Sequence, residues 1–169
     1  MFSKDAKSVP SHLPHDWEEL NIPYTWNGKD GQDGGNDYYR GKCYYKKMID
    51  AGDMSGEELW LQLDGVNSSA EVIFDGKSII KHDGGYSTFR VKLPKKSGEL
   101  VVTADNSPND RVYPQQADFT FYGGIYRDVK LIAVDSVHFD LSYYGAPGIM
   151  VTPTVKGNSA EVEMKAFHA

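Results

Sequence analysis

The residues best able to meet a ligand gather in one run, Ala117-Asp118-Phe119-Thr120-Phe121-Tyr122-Gly123-Gly124-Ile125-Tyr126-Arg127-Asp128-Val129, where four aromatic rings accompany the carboxylate of Asp118 in a turn that enters a strand. Aromatic rings stack on the apolar C–H faces of a pyranose, and a carboxylate accepts strong hydrogen bonds from hydroxyl groups, so the composition suits a sugar. The same residues also describe the rim of a β-rich core, because aromatics beside paired glycines commonly fill one. For Asp118 the alternative to a ligand contact is a loop cap, its carboxylate bonding nearby backbone N–H groups.

Other chemistry is excluded by what the chain lacks. It has no Gly-x-Gly-x-x-Gly, no phosphate-binding loop, no His-Glu-x-x-His and no Gly-x-Ser-x-Gly, so a nucleotide fingerprint, a zinc protease helix and a nucleophile elbow are all missing. His12 and His15 flank Pro14 without a third ligand nearby, which argues against a zinc site. Glycosidases that use paired carboxylates need two of them flanking the scissile bond. Of the eight glutamates, Glu18, Glu19, Glu57, Glu58 and Glu99 fall in polar runs, while Glu71, Glu161 and Glu163 take the outward phase of strands. No catalytic residue is therefore expected in this chain.

With 169 residues, 40% of them hydrophobic and 25% charged, the chain has the size and composition of a folded domain with a substantial core. Its formal charge of -6, with no basic cluster beyond Lys46-Lys47 and Lys95-Lys96, excludes nucleic acid and anionic membrane as expected partners. The single cysteine, Cys43, is read as a small core hydrophobe that can form no internal disulfide. No stretch approaches the ~20 apolar residues of a membrane-spanning helix, and the opening Met1-Phe2-Ser3-Lys4-Asp5 lacks the apolar run of a signal peptide.

The elements that must position the aromatic run are strands. Leu59, Leu61 and Leu63 alternate with Trp60, Gln62 and Asp64, and Val72 and Phe74 repeat the period of two. Asp75-Gly76 between Glu71–Phe74 and Lys77–Ile80 is the composition of a two-residue type I′ hairpin. Further strands are expected at Gly41–Ile49, Ser87–Leu93, Leu100–Asp105, Ile125–Val134 and Ser136–Tyr144, with a last hairpin of Ile149–Val155 and Ala160–Phe167. The result is an all-β sandwich in which the long loop from Asn106 to Gly124 carries the aromatic cluster, and loops of that length tend to be functional. Gly84-Gly85 and Gly123-Gly124 are expected at sharp corners, and Arg127 with Asp128 reads as an ion pair of small energetic weight. The last hairpin wants a sheet over its apolar face; it either completes the first sandwich or opens a second domain.

Several segments, in order, resemble the N-terminal sugar-binding domain of glycoside hydrolase family 2 enzymes, and in particular bacterial β-galactosidases. They are Asn21-Ile22-Pro23-Tyr24-Thr25-Trp26-Asn27, where Tyr24 replaces the family's usual histidine, then Tyr39-Arg40-Gly41, Tyr44-Tyr45-Lys46-Lys47, Leu63 to Val72, Gly84-Gly85-Tyr86-Ser87-Thr88-Phe89, Asp105-Asn106-Ser107 and the aromatic run itself. The resemblance implies a jelly-roll, galactose-binding-like β-sandwich over residues 1–135, followed over 136–169 by the first strands of an immunoglobulin-like domain. It implies a retaining enzyme whose two glutamates lie in a barrel further along the polypeptide. Consistent with that, the family's acid/base glutamate follows an asparagine, and Asn-Glu does not occur here.

By position Asp118 resembles the aspartate that such a domain extends toward the sugar subsite. The glycine-rich segment from Asp30 to Asp37 resembles a second substrate-facing loop, in which Asp33, Asn36 and Asp37 are the candidates. The expected partners are a terminal β-galactoside and the downstream domains of the same polypeptide, with a homo-oligomeric parent. No cofactor is expected in this segment, though the parent is expected to need a divalent or sodium ion, and a periplasmic or secreted bacterial enzyme fits the family's habit. β-Glucuronidase and β-mannosidase share the same segment pattern. Two other classes fit the residues: a free-standing carbohydrate-binding module, and a domain that only orients its neighbours.

Overall fold

The computed structural model describes residues 17–28, 38–114 and 119–169, together with the backbone of 2–4. In chain order the strands are β1 (Phe2–Lys4), β2 (Tyr24–Thr25), β3 (Lys42–Asp50), β4 (Glu58–Leu63), β5 (Val66–Asn67), β6 (Ser69–Phe74), β7 (Lys77–Asp83), β8 (Phe89–Lys92), β9 (Ser97–Asp105), β10 (Gly124–Ile125), β11 (Val129–Val134), β12 (Ile149–Lys156) and β13 (Ser159–Ala166), with a short 3-10 turn at Trp26–Gly28. An antiparallel sheet in the order β1-β3-β9-β6-β7 faces a second in the order β11-β4-β8, and a small third sheet, β2-β10-β5, closes one end.

The alternation seen in the sequence builds the core between the two main sheets. Leu59, Leu61 and Leu63 of β4, with Phe89 and Val91 of β8, meet Cys43 and Tyr45 of β3, Val72 and Phe74 of β6, and Leu100, Val102 and Ala104 of β9. Every second residue of a strand points the same way, so one phase of each strand is buried here. The opposite phase of the five-stranded sheet is covered too: Tyr44, Ile73 and Val101 form a second buried cluster under Trp17, whose ring carries the Lys46 ammonium at 5.1 Å. Cys43 is fully buried, as its reading as a small hydrophobe requires.

The Asp75-Gly76 hairpin is present as expected. Both residues have positive φ, 46° and 77°, which is what a type I′ turn demands of its two central positions. β9 begins three residues earlier than Leu100, because Ser97–Glu99 continue the pairing with Met48–Asp50. The expected strand at Ile125–Val134 is broken in two: β10 pairs with β2 and β5, whereas β11 pairs with β4.

Ser136–Tyr144 is not a strand. Among the described residues its only β-type pairing is a single bridge between Phe139 and His168, and Val137 and Tyr144 stand exposed. Its apolar alternation runs beside the β11-β4-β8 sheet without joining it: His138 Nε2 lies 3.3 Å from Glu58, and Arg90 donates to the Leu141 carbonyl at 3.3 Å. β12 and β13 pair with each other alone, from Ile149 opposite Ala166 to Lys156 opposite Ser159, and every residue of both strands is exposed.

Candidate functional site

The register of the large sheet defines one end of the sandwich. Lys42 pairs with Asp105 and Ser69 pairs with both Asp105 and Asp83, so the chain segments just beyond these residues converge there. They are 38–41, the β5–β6 junction, the Gly84–Ser87 corner and the start and finish of the Asn106–Gly124 loop. The four residues expected to face a substrate, Asp118, Asp33, Asn36 and Asp37, lie outside the described residues. The described residues on either side of them are Phe119 and Pro114 for Asp118, and Gly28 and Tyr38 for the others, and these stems are tied together.

The ties are two buried carboxamides. Asn27 Nδ2 donates to the Tyr39 carbonyl at 2.8 Å, and Asn27 Oδ1 accepts from Gly123 N at 2.7 Å and from Asn106 Nδ2 at 3.1 Å. Asn106 Nδ2 also donates to the Phe121 carbonyl at 2.9 Å, while its Oδ1 accepts from Gly41 N at 2.8 Å. Arg40 Nε donates to the Asn106 carbonyl at 2.9 Å, and its guanidinium lies 5.1 Å from the centre of the Phe121 ring. The Tyr38 hydroxyl accepts from Phe121 N at 3.2 Å. Buried backbone groups in irregular segments need partners that a strand would supply by itself, and here amide side chains supply them.

Packing around the glycine pair explains why no larger residue occupies it. A side chain on Gly123 would enter the Trp26 ring, its Cβ only 2.1 Å from the nearest ring carbon, and Gly124 takes a φ of +121°. The Tyr45 hydroxyl accepts from Ile125 N at 3.4 Å, and burial raises its pKa above the ordinary tyrosine value. Of the four rings in the run, Phe121 is buried and belongs to the floor, whereas Phe119 and Tyr122 are 52% and 43% exposed. One ring is therefore core rim and two face outward. Tyr126 has a structural duty, since its hydroxyl donates to the Gly85 carbonyl.

A shallow depression opens beside these rings, lined by Arg40, Asn67, Ser68, Tyr86, Asn106, Val112, Tyr113, Pro114 and Phe121. Tyr86 and Tyr113 stand on it with their rings 51% and 76% exposed. Asn67 donates through Nδ2 to the Tyr122 carbonyl at 2.6 Å and is itself buried, so its side chain serves the loop. Asn109 Oδ1 accepts from the backbone N–H groups of both Arg111 and Val112 at 2.9 Å. Arg111 in turn bonds Asp83 at 3.0 Å, and the Asp83 carboxyl is held below its ordinary pKa by Ser69 and Arg111.

One expectation is corrected at this end. Arg127 does not pair with Asp128: its guanidinium donates to the Tyr86 carbonyl at 3.0 Å and lies 5.4 Å from the centre of the Tyr126 ring, while Asp128 faces Lys130 at 3.8 Å. Arg127 is thus a brace for the Gly85-Tyr86 corner. His82 stacks on Phe89 with ring centres 4.2 Å apart and meets Gly84 O and Ser87 Oγ at 3.2 Å; burial lowers its pKa. Asn27 and Asn106 were missed as site residues because in sequence each reads as an ordinary turn asparagine, and only their place beside Trp26 and at the end of β9 marks them.

Facing antiparallel sheets with loops gathered at one end make this an all-β jelly-roll domain of the kind found in glycoside hydrolases. Over 154 residues the chain is 37% identical to a β-glucuronidase of Bacteroides fragilis, covering 87% of this chain and 22% of that protein. It is 28% identical to a β-galactosidase of Thermoanaerobacterium thermosulfurigenes, covering 75% of this chain and 18% of that enzyme. The crystal structure of a Bacteroides uniformis β-glucuronidase superposes with a TM-score of 0.86 at 30% identity, over 98% of this chain and 20% of that one. No protein-family model matches the chain. The chain belongs to glycoside hydrolase family 2, as a counterpart of the N-terminal domain of those enzymes, and spans about a fifth of the length of the curated relatives it matches.

Proposed function

We propose that the chain is the substrate-flanking jelly-roll domain of a retaining exo-β-glycosidase, in which Asp118 and one polar residue among Asp33, Asn36 and Asp37 meet the terminal sugar while the glutamates that do the chemistry lie in another domain. The observation that carries this reading is the tying of both stems at one end of the sandwich through Asn27, Asn106 and Tyr38, which serves two loops that act on one object. A carboxylate on a sugar hydroxyl makes a charge-assisted hydrogen bond, strong where rings exclude water. β-Glucuronides are the first substrate class in this reading, since identity to a β-glucuronidase is 37% against 28% for a β-galactosidase; β-galactosides, the expectation from sequence, are the second.

Residues 136–169 are read as the opening of an immunoglobulin-like domain, supported by the unaccompanied β12–β13 hairpin. Among the described residues no three His, Cys, Asp or Glu side chains converge on one point; the divalent or sodium ion belongs to the proposal for the parent enzyme. A homo-oligomeric parent belongs to the same proposal. The test is hydrolysis of chromogenic β-glucuronides, β-galactosides and β-mannosides by the full-length protein and by residues 1–169 alone. Turnover of the first or second class by the full-length protein and none by 1–169 is expected; turnover by 1–169 would overturn the division of labour.

A further inference from the structure

Asn27 and Asn106 are 0% and 1% exposed, yet neither stands within a strand. Burying a carboxamide is unfavourable unless its polar atoms are matched, and here both oxygens and both nitrogens are used on other irregular segments. Asn27 reaches Tyr39 and Gly123, Asn106 reaches Gly41 and Phe121, and the two bond each other at 3.1 Å. The amide pair therefore couples the stem that precedes β3 to the stem that precedes β10. Those stems flank the segments that hold Asp33, Asn36, Asp37 and Asp118. An apolar pair of similar volume would fill the same space but would take away the partners that Asn27 and Asn106 give Gly41 N, Gly123 N and the Phe121 carbonyl, so the amides specify where the backbone lies as well as filling space.

We infer that Asn27 and Asn106, with the Tyr38 hydroxyl on Phe121 N, are positioning residues for the Asp118 segment, touching no substrate themselves. The inference rests on the proposed sugar contact of Asp118. If it holds, Asn106 matters to turnover only while Asp118 is present, because misplacing a contact group by about an ångström can cost ~100-fold in rate.

A double-mutant cycle in the full-length protein reads this out as kcat/KM on the substrate it turns over, for the wild type, Asp118→Ala, Asn106→Ala and the pair, with near-UV circular dichroism confirming equal folding. The expected result is a loss of about 100-fold for Asp118→Ala, a loss of about 10-fold or more for Asn106→Ala, and a double variant no worse than Asp118→Ala alone. Losses that multiply would overturn the inference and leave the sugar contact standing, as would an Asn106→Ala protein of wild-type activity beside a crippled Asp118→Ala. An unchanged Asp118→Ala protein would overturn the sugar contact and the inference with it. If Asn106→Ala does not fold, Tyr38→Phe takes its place. It removes one hydrogen bond and is expected to cost about 2- to 10-fold with Asp118 present and nothing without it; an equal cost in both backgrounds, or none in either, would overturn the inference.

Discussion

The middle of the sandwich and its loop end are held by opposite means. Between the sheets, β3, β9 and β6 satisfy their own backbone groups through the ladder from Lys42–Asp105 to Asp50–Ser97, so the side chains need only be apolar and well shaped. At the loop end the backbone is irregular, and Asn27, Asn106, Asn67 and Asn109 take over the bonding that a ladder would do. A region whose position is set by packing tolerates changes that conserve volume. One set by specific hydrogen bonds does not, because each lost partner strands a buried group. The geometry of the loop end thus depends on amides that contribute little apolar area.

The largest change expected from breaking this comparison is in the middle. Leu63→Ala, at a fully buried β4 position, should lower unfolding free energy by about 3 kcal/mol, read from the midpoint of chemical denaturation. Asn106→Leu conserves volume better but strands Gly41 N and the Phe121 carbonyl, and should cost about 2 kcal/mol. If the loop end behaved like the core, the substitution would be neutral.

Acid sharpens the contrast by a smaller amount. Burial keeps the folded pKa of His82 below its free value of 6.5, so as pH falls below 6.5 the unfolded chain takes up more protons and stability declines. His82→Gln should flatten that first decline in a Tm–pH profile. A second decline belongs to Glu58, drawn from 4.5 down to about 2 by its hydrogen bonds to Lys92, Trp60 and His138; with a lowered folded pKa, its stabilising contribution is present above 4.5 and lost progressively toward pH 2. The smallest effect is expected outside both regions: Val162→Ala on the exposed β13 should change stability by no more than about 0.5 kcal/mol in this chain.

Much of the sandwich was legible because its strands alternate strictly and because Asp75-Gly76 admits few conformations other than a tight reversal. The same signal misled at Ser136–Tyr144, where Val137, Phe139 and Leu141 keep the period of two but, among the described residues, form no ladder beyond the Phe139–His168 bridge; periodicity reports which face is apolar and says nothing about whether a neighbour pairs with it. β1 was invisible for the converse reason, since Phe2–Lys4 is too short to show a period and is held by β3, with Phe2 opposite Tyr45. At the loop end, the ring cluster stood out, but the amides beneath it did not. A buried asparagine is defined by partners many positions away, such as Gly123 for Asn27, and no local pattern encodes such a separation.

The central claim is that this domain flanks a substrate it does not itself cleave, and that Asp118 is the group by which it does so. The most direct measurement is kcat/KM of full-length Asp118→Ala against the wild type on the substrate the enzyme turns over. The account predicts a loss of about 100-fold with Tm unchanged within about 2 °C. Activity within twofold of the wild type, at the same Tm, would contradict it.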